Sequence, residues 1–187
     1  MRFLKDTSAF FNALFHDPRS IGAVLPSSRY LANSMVEQID LASSDYVVEL
    51  GPGTGAITKV ILKSIPAKRF ITLEISPAFA DTLQANFPEI TVIKGNAANL
   101  SELLQNKKPV HTIISSLPLR SLTKSDRDKI LSEIPKVLSP NGQFIQYSYS
   151  LNNKNIFYPK NFTLKKSFVV WRNIPPARVS VFQINPG

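Results

Sequence analysis

Apolar positions along this chain fall into two alternating patterns. Short β-favouring runs occupy residues 46–50, 69–74, 91–94, 111–115 and 143–149, each of strand length. Between them, 56–64, 77–86, 99–105 and 124–137 carry the longer spacing of helices. Two late runs, 162–171 and 178–184, flank Asn173-Ile174-Pro175-Pro176 and read as an antiparallel pair. Ahead of the first strand, apolar residues at 3, 4, 10, 11, 14 and 15 share one helical face, and Asp17-Pro18 ends that helix. An extended stretch, 21–28, follows and finishes in Ser28, a suitable cap for a helix over 29–39. Strands alternating with helices predict a parallel sheet covered on both faces. With 187 residues, no internal repeat and no low-complexity linker, the chain reads as one domain: a helical extension or lid over 1–40 and an α/β core over 41–187.

The densest signal lies where the first strand ends. Tyr46-Val47-Val48-Glu49-Leu50 runs into Gly51-Pro52-Gly53-Thr54-Gly55, and the apolar stretch 56–62 follows directly. A strand that breaks into a glycine-rich turn and restarts as a helix brings backbone close to a nucleotide-like ligand. Gly-x-Gly-x-x-Gly counted from Gly51 would need a third glycine at Ala56, so the spacing is not that of a dinucleotide site. Glu49-x-Gly51-x-Gly53-x-Gly55 instead resembles motif I of the class I S-adenosylmethionine-dependent methyltransferases. That resemblance implies a Rossmann-like, seven-stranded, mostly parallel sheet of order 3-2-1-4-5-7-6, with S-adenosyl-L-methionine as cofactor.

Three further segments carry candidate chemistry. Glu74 closes the second strand 19 residues beyond Gly55, where a carboxylate can accept hydrogen bonds from both hydroxyls of a ribose. Lys94-Gly95-Asn96-Ala97-Ala98 closes the third strand; methyltransferases often hold an Asp at the place of Asn96, and Asn still accepts through its carbonyl. After the fourth strand comes Ser115-Ser116-Leu117-Pro118-Leu119. Adenine N6 methyltransferases carry Asn/Asp-Pro-Pro-Tyr there, and rRNA dimethylases Asn-Leu-Pro-Tyr. This chain keeps the Leu-Pro and loses both the amide and the ring, which argues against a stacked base as acceptor.

Together with Gly22-Ala23-Val24-Leu25-Pro26-Ser27-Ser28 and Pro176-Ala177-Arg178-Val179, these segments resemble the bacterial phospholipid N-methyltransferases, soluble relatives of the rRNA adenine dimethylases. The resemblance implies methyl transfer to the amine of phosphatidylethanolamine and its methylated intermediates. It places Glu49, Gly51, Pro52, Gly53, Gly55, Glu74, Ile75, Asn96, Ala97 and Ser116 around the cofactor. Tyr30, Leu117, Pro118 and Leu119 fall beside the acceptor. No general base stands out; His16 lies near the lid segment, but a lone histidine is more often a surface or capping residue.

Composition sharpens the choice of partner. No cysteine is present, which excludes disulfides, a cysteine nucleophile and thiolate metal ligation, and two histidines do not suggest a metal centre. Residues 1–100 hold nine basic and nine acidic side chains, whereas 101–187 hold thirteen and four, so the second half carries the whole net charge of +9. From residue 134 onward there are seven basic residues, no acid and nine aromatics. Such interleaving suits an anionic membrane surface or nucleic acid. The start of the chain lacks the long apolar run of a signal peptide, and no stretch reaches transmembrane length. The expectation is a monomeric cytoplasmic enzyme, peripherally attached to the inner membrane by its N-terminal stripe and its basic, aromatic half. Methylation of rRNA adenine is the alternative, and a methyltransferase-like binding module without catalysis is the third reading.

Overall fold

The computed structural model describes residues 28–107, 109–151 and 156–185. The amphipathic helix expected from the apolar positions 3–15, His16 and residues 21–27 of the extended stretch lie outside the described residues. Seven strands make one sheet: β1 (Tyr46–Leu50), β2 (Phe70–Glu74), β3 (Thr91–Lys94), β4 (Val110–Ser115), β5 (Leu138–Ser148), β6 (Phe162–Val170) and β7 (Ala177–Ile184). Their order is β3-β2-β1-β4-β5-β7-β6, as expected. The first five strands are parallel, while β7 runs antiparallel to both β5 and β6. The helices are α1 (Arg29–Val36), α2 (Thr58–Ile61), α3 (Pro77–Asn86), α4 (Leu100–Leu103) and α5 (Lys124–Val137).

Strand alternation divides the core between the two faces of the sheet. Val48, Leu50, Ile71, Leu73, Ile113 and Phe144 face one layer, shared with Leu100 of α4 and Ile130 and Ile134 of α5. Val47, Phe70, Ile114 and Ile145 face the other, against Leu31, Ala32 and Met35 of α1 and Val60 and Ile61 of α2. Glu49 is two residues beyond Val47, and Glu74 four beyond Phe70, so both carboxylates belong to the face covered by α1 and α2.

Several boundaries differ from those expected. The helix expected over 56–64 is a single α-turn, because positive φ persists to Gly55 and three-residue hydrogen bonds such as Lys63 N to Val60 O tighten its exit. Residues 99–105 are likewise divided: Asn96 caps a 3-10 turn over Ala97–Asn99, and the α-helix ends at Leu103. The helix expected over 29–39 stops at Val36, after which Gln38 and Ile39 bond three residues back. β5 begins five residues earlier than its apolar run. Leu138 pairs with Val110 and Gln143 with Thr112, so Ser139 to Gly142 bulge outward, with Asn141 at φ 63°. Pro140-Asn141-Gly142 reads as a turn in sequence, and locally it is one.

Candidate functional site

β2 lies on one side of β1 and β4 on the other, so the connections leave β1 and β4 in opposite directions. In open α/β sheets that divergence opens a crevice at the carboxyl ends of the two strands. Leu50 pairs with Ser115 there, and Ser116 N donates to Leu50 O at 2.9 Å, so the glycine loop and the loop after β4 start side by side.

The glycine loop is built for close approach. Gly51, Gly53 and Gly55 all take positive φ, of 69°, 54° and 81°, a region that L side chains enter only with strain. A Cβ on Gly51 would stand 2.7 Å from Leu117 Cδ2, and one on Gly55 would stand 2.9 Å from the Phe87 ring. Gly51 N donates to Leu73 O, and Gly55 N to Pro52 O, which hold the loop closed on β2. Pro52 is buried at its centre.

Both carboxylates beneath this loop are buried. Glu74 Oε2 accepts from Gly53 N at 3.1 Å, and Oε1 accepts from Ser76 N at 2.9 Å. The two bonds fix the orientation of the carboxylate and of the acceptor capacity that remains on it. Burial raises the Glu74 pKa above its ordinary value, against the opposing backbone N–H groups of Ser76, Gly53 and Ile75. Glu49 is completely buried, with Oε2 accepting from Thr58 Oγ1 at 2.6 Å. Burial, helped by the nearby Glu74 charge and opposed by Thr58, pushes its pKa up to about 8. At neutral pH Glu49 is therefore mostly an uncharged acid waiting for a positive neighbour.

Five buried side-chain atoms find no hydrogen-bond partner among the described residues, and three of them stand at this edge: Glu49 Oε1, Ser116 Oγ and Gln146 Oε1. Leaving such an atom unpaired costs about 1–3 kcal/mol, so three at one strand edge point to a ligand that satisfies them. The Gln146 orientation is fixed by its neighbours. Its Nε2 donates to Leu117 O at 3.1 Å and to Tyr147 O at 2.6 Å; a flipped amide would set oxygen against two carbonyls.

The loop after β4 is held from both sides. Leu117 N donates to Ser115 Oγ, and Leu117 O accepts from both Gln146 and Leu119 N, which occupies its lone pairs within the protein. Leu117 and Leu119 are 6% and 5% exposed and join the core, Leu117 directly beneath Gly51; Pro118 between them is half-buried. Asn96 Oδ1 accepts from Ala98 N at 2.9 Å, Ala97 is buried, and Ile75 packs on the core beside Glu74.

Tyr30 reaches the same edge by another route. Arg178 pairs with Ser148 at the end of β5, so the β6–β7 turn projects at the carboxyl end of the parallel strands. Asn173 in that turn accepts from Ser28 N, which fixes the start of α1, and the Arg172 guanidinium lies 5.4 Å from the centroid of the Tyr30 ring. His111 stands at the opposite end of the sheet, 3.7 Å from Asp40, away from the crevice.

Thr58, Gln146 and Asn173 were not singled out from the sequence. Thr58 is three residues past Gly55 and within the reach of a motif reading. Gln146 carries no local signal, because its importance comes from pairing with Ser115 across the β4–β5 interface. No group of three or more metal-ligating side chains exists among the described residues.

Residues 47–142 match the family described as "Methyltransferase domain". The chain is 33% identical over 180 residues to an ornithine lipid N-methyltransferase of Singulisphaera acidiphila, spanning 93% of this chain and 94% of that protein. It is 26% identical over 104 residues to ribosomal RNA small subunit methyltransferase A of Malacoplasma penetrans, a match that spans 56% of this chain and 38% of that one. Among solved structures, 1,6-didemethyltoxoflavin-N1-methyltransferase of Burkholderia thailandensis, with bound 1,6-didemethyltoxoflavin and S-adenosylhomocysteine, superposes with a TM-score of 0.71 at 14% identity. That superposition covers 99% of this chain and 90% of that one.

Proposed function

The chain belongs to the class I S-adenosylmethionine-dependent methyltransferases, and on that premise we propose that it methylates the amine of a membrane lipid headgroup, with phosphatidylethanolamine and its methylated intermediates as substrates. The observation that carries this reading is the loop after β4. Ser116-Leu117-Pro118-Leu119 offers no amide, and both leucines turn into the core, so a flipped base would find no ring from this loop to stack on. The similarity to a lipid N-methyltransferase spans 93% of the chain at 33% identity, whereas matches to rRNA methyltransferases cover between 43% and 74% of it at 25–29% identity; both facts favour a lipid amine.

The residues at the crevice fit S-adenosyl-L-methionine. Glu74, oriented by Gly53 and Ser76, keeps acceptor capacity suited to ribose hydroxyls. Glu49 Oε1 is a buried acceptor suited to the ammonium end, and a positive charge there would draw Glu49 back to carboxylate. Gly51, Gly53 and Gly55 let backbone approach the ligand, Pro52 stiffens the loop, and Asn96 and Ala97, which follow β3 as Ile75 follows its paired neighbour β2, suit the adenine. When bound, the cofactor supplies a methyl group activated by a sulfonium.

The protein's part is to hold an uncharged amine in line with that methyl, so positioning supplies much of the catalysis. Leu117 O is already engaged, which leaves Ser116 Oγ and Gln146 Oε1 as the acceptors for amine N–H groups. On the unmethylated amine two N–H bonds held this way orient the nitrogen lone pair; a monomethylated amine keeps one of them and a dimethylated amine none, so the later substrates rely on Pro118 and Tyr30, which border the approach. Among the described residues no histidine stands at this edge, and none is assigned as base.

Incubation with methyl-labelled cofactor and, in separate reactions, phosphatidylethanolamine or ornithine lipid in detergent micelles, rRNA, or a small amine tests the assignment. Label in the lipid is expected. Label in rRNA alone would establish the second reading, which the basic second half of the chain favours.

A further inference from the structure

Accepting a lipid amine as substrate, we propose that the turn between β6 and β7 is a rigid wedge that docks the enzyme on an anionic phospholipid bilayer. Trp171 and Ile174 enter the interface, and Arg172 and Arg29 pair with lipid phosphates. Trp171 is 70% exposed and Ile174 78%, with the half-exposed Tyr30 beside them. Large apolar side chains scattered singly on a surface need no explanation, but here two stand three residues apart on one short turn, and Arg172 between them reaches the Tyr30 ring of α1.

The exposure is built in. Asn173 is 2% exposed, with Oδ1 accepting from Ser28 N at 3.1 Å and Nδ2 donating to Pro175 O at 2.7 Å. The Tyr149 side chain shares a further hydrogen bond with Asn173, which ties the turn to the end of β5. With Asn173 anchored inward, its neighbours Arg172 and Ile174 stand outward, both exposed. The wedge is thus presented in place, at little ordering cost on binding.

Charge and position select the partner. From residue 134 to 187 the chain has seven basic residues and no acid, so β5, β6, β7 and their connections bring no carboxylate to oppose an anionic surface. Trp and Tyr rings suit the headgroup level, and Arg adds favourable free energy near anionic lipid. Ile174, followed by Pro175 and Pro176, offers hydrogen-bonding side chains to neither phosphate nor base, which favours bilayer over RNA. Antiparallel pairing of Ser148 with Arg178 sets the wedge at the same sheet edge as Gly51 and Ser116. Docking by the wedge therefore turns the reactive edge towards the headgroups.

Trp171 is the only tryptophan of the chain and reports on itself. With the full chain, its emission should shift to the blue on phosphatidylglycerol vesicles, be quenched by brominated acyl chains, and change little on phosphatidylcholine vesicles. An Ile174→Asp variant should bind phosphatidylglycerol vesicles about tenfold or more weakly. Its methyl transfer to a lipid amine dispersed in detergent should stay within about twofold of wild type, since the exposed Ile174 side chain is no part of the crevice. Vesicle sedimentation without a Trp171 shift, no sedimentation at all, or a shift produced by rRNA and not by vesicles each overturns the wedge. The micelle assay separates the two ideas: lipid methylation without a vesicle response refutes the wedge alone, while absence of lipid methylation refutes the substrate assignment.

Discussion

The glycine loop after β1 and the turn between β6 and β7 share one edge of the sheet and solve opposite problems. At the loop, polar atoms are buried beyond what the described residues satisfy: Glu49 Oε1, on the strand beneath it, has no partner among them, and every glycine from 51 to 55 has positive φ. In the turn, apolar atoms are exposed beyond what solvent favours, with Trp171 and Ile174 held out by a buried, fully engaged Asn173. A small polar ligand would repair the first imbalance and an apolar interface the second. Each region is thus legible from the group it leaves unsatisfied, and a methyl acceptor embedded in a membrane would have to meet both.

Substitutions separate the two regions, and the largest effect belongs to the loop. Gly51→Val adds a side chain where φ is 69° and the nearest atom is 2.7 Å away, so cofactor binding should be lost and stability should fall by about 3 kcal/mol or more. Isothermal titration and denaturant unfolding check both; binding within threefold of wild type would remove the loop from the site. Asn173→Ala should cost about 1–3 kcal/mol by freeing Ser28 N and Pro175 O, yet leave cofactor affinity nearly unchanged. A parallel loss of affinity would mean that turn and loop are one unit.

Glu49→Gln keeps the shape and the Thr58 contact but cannot ionise, and it should weaken cofactor binding about tenfold. Its pH signature is distinctive. Folding raises the Glu49 pKa from 4.5 to about 8, so the folded state binds the proton more tightly than the unfolded chain. The stability from this group is therefore full below 4.5 and is lost as pH rises towards about 8, a decline that Gln abolishes. Thermal unfolding of the cofactor-free protein across that window should show a shallower fall in the variant; equal slopes would place the ionisation elsewhere. The smallest effect on folding is expected from Trp171→Ala, within about 0.5 kcal/mol of wild type because the ring is 70% exposed. A larger loss by denaturant unfolding would make Trp171 part of the fold and no longer a free wedge.

Much of this was legible in the chain itself, because it depends on local chemistry. Alternating periods dictate strands and helices, glycines that must take positive φ announce a tight loop, and a terminal antiparallel pair follows from two β runs around Asn-Ile-Pro-Pro. The charge imbalance and the missing amide and ring at Ser116 and Leu119 are also plain in the residues. What the residues could not disclose depends on which strands become neighbours. Gln146 matters because β5 lies against β4, which sets its amide on Leu117 O; nothing within ten residues of Gln146 says so. The short helices after Gly55 and Asn96 were overestimated for a related reason: apolar spacing records which face is buried, while tight turns and three-residue hydrogen bonds at each end decide how far the helix runs. The unsatisfied state of Glu49 and the outward set of Ile174 are likewise tertiary facts. Burial and hydrogen bonding are properties of the packed neighbourhood, so the sequence determined which groups the edge would hold, and only the fold decided which of them would be left without a partner among the described residues.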